Sequence, residues 1–262
     1  MNKFLSLLFM FQCLSVASYA DTLEHEPVVI AGFTKEGRLE QDGTGHYADM
    51  VHAVLAEATV GARFVIMPVL RTVRSFAEGD SICMVPAAFE RWKVKFPNLN
   101  REDIIESEPI DYISAHIATR AGMPVITRLE ELNGMRMAVW VALPVDTHLT
   151  DIDVEVIRAE SEESSIKLLM SGRVDAIWTW VPDAYILYER LGYGVPNIDD
   201  NQPIYGSAAH FLCRRTPTTE ALMKQVDPII RSMRADGRLK KILGRHTRVV
   251  GVDIPLSVVE NQ

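Results

Sequence analysis

The chain of 262 residues is 48% hydrophobic and 24% charged, with 15 Gly, 13 Pro and 3 Cys, a profile that excludes a disordered tail, a collagen and a disulfide miniprotein. Its 27 Lys and Arg stand against 35 Asp and Glu, a formal charge of −8. That balance repels nucleic-acid phosphates and argues against DNA or RNA as a partner.

At the start, Asn2 and Lys3 precede the apolar run Phe4 to Phe11, and Ser18-Tyr19-Ala20 closes the segment. The pattern predicts a secretory signal peptide over 1–20, cleaved after Ala20, and hence a periplasmic protein. Phe11-Gln12 stands before Cys13 where a lipid-anchor signal needs small residues, so no anchor is expected. No later stretch approaches the ~18 apolar residues of a membrane span, so the mature chain is expected not to be membrane-embedded. Cys83 and Cys213 remain. Export permits a disulfide, but both lie in apolar runs where buried free thiols are common, and free thiols are the favoured expectation.

Val28 to Gly32 reads as a strand, Tyr47 to Val60 as a helix with Met50, Val51, Val54 and Leu55 on one face, and Ala62 to Pro68 as a second strand. Leu70 to Glu78 is a helix stopped by Gly79, and Ser81 to Ala87 a third strand. This alternation predicts a parallel sheet with helices packed on it. An extended stretch, Ile110 to Thr119, leads to a second set: strands Met135 to Val141 and Val154 to Arg158, helix Ser161 to Ser171, strand Val174 to Thr179 and helix Pro182 to Leu191. Ile204 to Cys213 is extended again. Only helices are expected after it, from N-cap Thr216 to Ala235 with a kink at Pro228, then Leu239 to Leu243.

Two α/β units joined by two extended crossings predict two lobes, 21–109 with 210–262 and 110–209. A cleft lies where the C-terminal ends of the parallel strands meet, and ligands bind there. Arg71 and Arg74 share a face at a helix start where cations oppose the dipole, so Arg71 is a candidate anion contact. Trp178 and Trp180 share one face of their strand and Thr179 takes the other. Trp178 reads as core, whereas Trp140, Trp180 and Thr179 are candidates for the cleft. Gly43 to Ala48 is a turn and not a dinucleotide fingerprint, because a polar stretch precedes it. The seven histidines are scattered, so neither a metal nor a cofactor is expected.

Several short motifs recur in a telling order: Gly45-His46-Tyr47-Ala48-Asp49-Met50, Phe89-Glu90-Arg91, Ser107-Glu108-Pro109-Ile110, Ser171-Gly172-Arg173-Val174-Asp175-Ala176, and the tail Met233 to Leu243. Together they resemble the bacterial extracellular solute-binding proteins of family 3, with the bilobal type II periplasmic-binding fold. The resemblance implies a monomer that closes two lobes on an amino acid or other small polar solute and presents it to an ABC permease. It implies that Arg91 clamps a ligand carboxylate, with a surface salt bridge as the alternative, and leaves Tyr47 a weaker ligand candidate beside His116, Thr119 and Asp183. Trp180 falls where relatives place the acid for a ligand ammonium, and Ala87 and Ala88 replace hydroxyl residues, so an ordinary α-amino acid is disfavoured. Two other readings stay open. One is a dehydratase of cyclic prephenate-type acids, in which Glu36, His116 or Asp183 would supply the acid; the other is a sensory protein without a transporter that docks to a receptor ectodomain.

Overall fold

A computed structural model describes residues 26–79, 83–143 and 145–260; the expected signal peptide and its cleavage site, the first residues of the Ser81 to Ala87 strand, and Pro144 lie outside the described residues. Among the described residues no helix is long and apolar enough to cross a membrane.

The first sheet has the order β2-β1-β3-β10-β4. The β-branched run at Val28 forms β1 (Val28–Phe33), which pairs in parallel with β2 (Ala62–Met67) and β3 (Cys83–Ala87). One face is covered by α1 (His46–Glu57), α6 (Pro217–Ala235) and α7 (Arg238–Leu243), which bury Met50, Val51, Val54, Val226, Ile230 and Leu239 against Ile30 and Val85. Each such side chain taken fully from water contributes about 1.5–3 kcal/mol. The other face carries Phe76 from α2 (Val69–Glu78) and Phe89 from α3 (Phe89–Lys95), packed on Met84 and Leu212. Gly45 enters α1 at φ 111, and a side-chain carbon there would lie 2.5 Å from the Arg38 carbonyl oxygen, so only glycine fits.

The second sheet has the order β11-β5-β8-β6-β7, with β9 also on β5. Strands β6 (Met135–Trp140), β7 (Val154–Ala159) and β8 (Ala176–Val181) are parallel, β5 (Asp111–Thr119) runs against them, and β9 (Tyr205–Ala208), antiparallel to β5, runs in their direction again. On one face α4 (Glu162–Met170) and α5 (Asp183–Leu191) bury Ile166, Leu169 and Leu187. Alternation along β8 sends Trp178 and Trp180 to the opposite face, with Val139 and Ile113. The crossings between sheets bind each other, Ile110 N–H to the Ala209 carbonyl and Ala209 N–H to the Asp111 carbonyl, both at 2.8 Å.

Four expectations are corrected. The sheets are mixed, because the strands that follow a crossing return antiparallel: β10 (His210–Arg214) lies between β3 and β4 (Ile104–Glu106). Helix α3 was not predicted; at seven residues it is too short to show a helical period. The tail is not purely helical, since β11 (Arg248–Val249) joins the second sheet at the edge of β5, although it follows the helices of the first lobe. Finally, Cys83 and Cys213 are disulfide-bonded. Antiparallel pairing sets them directly opposite, with Cα atoms 4.0 Å apart, a neighbourhood that exists only after the second crossing returns.

Candidate functional site

A cavity of about 860 Å³ lies between the lobes. The first lobe lines it from the ends of β1 and β3 with Phe33, Lys35, Phe89, Arg91 and Trp92, and the second from β6, β8 and β9 with Trp140, Trp180 and Tyr205. Rings pair edge to face on both sides: Phe33 with Trp92 at 6.1 Å between centroids, Trp180 with Tyr205 at 5.6 Å.

Arg91 is the one cation there whose charge is unmet by the described residues. The residue as a whole is half-buried, yet its Nε and Nη2 atoms are closed to solvent and have no hydrogen-bond partner. Burial pulls its pKa below the ordinary guanidinium value, and since arginine does not give up its proton in proteins, the desolvated charge calls for an anion. The other lining cations are matched: Lys35 by Asp183, and Arg101 by Glu106 at 3.0 Å. The second Glu106 oxygen accepts the Phe89 N–H at 2.7 Å, capping α3 and so holding the helix that carries Arg91. His210 also lines the cavity; burial lowers its pKa, and its Nδ1 donates to the Ser107 carbonyl at 2.7 Å, which leaves Nε2 as an acceptor.

Beside the cavity the loop between β1 and α1 reaches the second lobe. Arg38, wholly buried, meets Asp111 at 2.6 Å and Asp183 at 3.5 Å, while the Tyr47 hydroxyl donates to Asp111 at 2.9 Å. Burial works against the Arg38 charge, but Tyr47, Asp111 and Asp183 around it outweigh that and raise its pKa. Glu36 accepts the Glu163 N–H at 2.9 Å, and Arg190 pairs with Glu40 at 3.1 Å. The lobes therefore meet through ion pairs along this loop.

No family model matches the chain, and no curated protein matches it in sequence. Solved structures do. The GluR0 ligand-binding core from Nostoc punctiforme, in complex with L-glutamate, aligns with a TM-score of 0.64 at 14% identity over 82% of this chain and 97% of its own. An ancestral arginine-binding protein bound to arginine gives 0.62 at 19%, over 83% and 97%. The ancestral amino acid-binding protein AncCDT-1, a precursor of cyclohexadienyl dehydratase, gives 0.60 at 19%, over 82% and 92%. The chain has the bilobal type II periplasmic-binding fold.

Within that fold the structure brings Arg91, Trp140 and Trp180 to one cavity. The other candidates sit elsewhere. Tyr47 is buried under the first sheet and spends its hydroxyl on Asp111. Thr179 points to the helix-covered face of β8 and donates to Glu162 at 2.6 Å. Arg71 is exposed on α2 and does not line the cavity, so water serves its charge. His116 bonds Ser114 at 2.9 Å, Thr119 bonds the Pro124 carbonyl, and Trp178 is core, at 1% exposure. Lys35, Arg38, Glu162, Tyr205 and His210 were missed. Arg38 stands in the polar stretch that precedes the Gly43 to Ala48 turn and Lys35 just before it, and no periodicity marks either.

Proposed function

We propose that this chain is an exported solute-binding protein, akin to family 3, that captures a small carboxylate-bearing solute between its lobes and presents the closed form to an ABC permease. The observation that carries the reading is Arg91: a guanidinium with two desolvated nitrogens that find no partner among the described residues, beside an aromatic-lined cavity between two lobes. A planar guanidinium holds a carboxylate with two parallel charged hydrogen bonds, which a lysine cannot do. The ligands bound by two neighbours, glutamate and arginine, both carry a carboxylate and support the same class.

In this reading the crossings at Ile110 and Ala209 act as hinges, and the ion pairs of the β1–α1 loop hold the lobes together around the solute. Binding without turnover fits the fate of the acids weighed for a dehydratase: Glu36 caps α4, Asp183 is paired with Lys35 and Arg38, and His116 faces Ser114. The solute is released unchanged. A thermal-shift screen of organic acids and amino acids finds the ligand, since one that binds only the folded state raises its apparent stability. Arg91→Ala is then expected to weaken carboxylate binding by ~1.5–3 kcal/mol in calorimetry. An unchanged Kd removes Arg91 from the site.

A further inference from the structure

We infer that the solute is a carboxylate that bears an aromatic ring and no α-ammonium group, its carboxylate on Arg91 and its ring among the aromatic side chains of both lobes. The inference rests on the reading of Arg91 as the carboxylate clamp and names the class of ligand that clamp serves.

The charges around the cavity decide it. An α-amino acid brings an ammonium that, once desolvated, needs a carboxylate of its own. Glu106 has both oxygens engaged, one by the Phe89 N–H and one by Arg101. Asp183 is shared between Lys35 and Arg38. Glu90 lines the cavity but is exposed, and a hydrated carboxylate holds an ammonium scarcely better than water does. An aromatic face could receive a cation instead. At Trp180, however, the protein supplies its own: the Lys35 Nζ lies 5.9 Å from the ring centroid. What the walls leave open to a ligand is one unmet positive charge, one imidazole acceptor at His210, the Ser207 hydroxyl, which is neutral and can donate to a carboxylate, and ring surface from Phe33 and Trp92 on one lobe and Trp140, Trp180 and Tyr205 on the other. Such a surface complements a planar apolar ring ending in a carboxylate.

Matched pairs isolate the ammonium. Hydrocinnamate and L-phenylalanine differ only by that group, as do indolepropionate and L-tryptophan, and each is titrated into the mature protein by calorimetry. Hydrocinnamate or indolepropionate is expected to bind at least ten-fold more tightly than its amino-acid partner. Arg91→Met should weaken it at least ten-fold with the unfolding midpoint preserved, and Arg91→Lys, which keeps the charge but not the fork, should also weaken it. Equal or tighter binding of the amino acids overturns the inference, while loss of that binding in Arg91→Met would keep the clamp. If none of the four binds, the inference also falls, and the clamp stands or falls separately on whether aliphatic carboxylates bind in an Arg91-dependent way.

Discussion

Glu162→Gln is expected to match the wild type in acid and to become the more stable protein as pH rises through about 7. Glu162 opens α4 and is only 8% exposed; its Oε1 accepts the Thr179 hydroxyl at 2.6 Å and the Trp180 N–H at 3.1 Å. Burial, then the nearby Asp183, push its carboxyl from the ordinary 4.5 up to about 7, against the opposing pull of Lys35, Thr179 and the Trp180 amide. With the folded value above the unfolded one, the folded protein holds an extra proton between the two. The stability given by the neutral carboxyl is therefore complete below about 4.5 and is lost as pH climbs through about 7. At 1.36 kcal/mol per pH unit, that window is worth roughly 3 kcal/mol. Glutamine keeps an acceptor oxygen for both donors and has no charge to bury, so it escapes the loss. Urea unfolding midpoints, taken for both proteins at intervals from about pH 4 to about pH 8, give the difference directly. A difference that stays flat with pH, or that favours glutamate in alkali, means that Lys35 holds an ionised carboxylate, and refutes the reasoning.

Other perturbations test the frame around the site. Arg38→Met strips Asp111 of its ion-pair partner and Asp183 of one of two, all three carboxylate and guanidinium groups being buried, and should cost about 3–5 kcal/mol in denaturant unfolding; a loss below ~1 kcal/mol would show that Tyr47 and Lys35 suffice. Changing both Cys83 and Cys213 to Ala opens a link spanning 130 residues and should destabilise by about 2–5 kcal/mol. Wild-type protein treated with a reductant should show the same lowered Tm, and an unaltered midpoint would mean that core packing alone fixes the β3–β10 pair.

Much of the frame was legible because it depends on short-range patterns. Met50, Val51 and Val54 mark the buried face of α1, Gly79 and Gly192 end their helices in the left-handed conformation, and the two-residue period of β8 separates Thr179 from its flanking tryptophans. Arg91 was legible through a motif, and Trp140 and Trp180 through their places at strand ends. Arg38 was not: its neighbours Asp111 and Asp183 lie far along the chain, and nothing local distinguishes a charged residue in a turn from one walled in on all sides. Tyr47 and Thr179 misled for the converse reason. Each can donate a hydrogen bond to a ligand, and only the packed structure shows Asp111 and Glu162 already accepting it.

The sequence by itself determined two α/β units, their order and the residue types at strand ends, since hydrophobic period and helix punctuation act within a few residues of themselves. Which charges are satisfied was decided by tertiary structure. Lys35 finds Asp183 across the fold and Arg101 finds Glu106 close along the chain, while Arg91 finds no acid among the described residues, and a charge is matched or left wanting by groups brought near in space, whatever their separation along the chain.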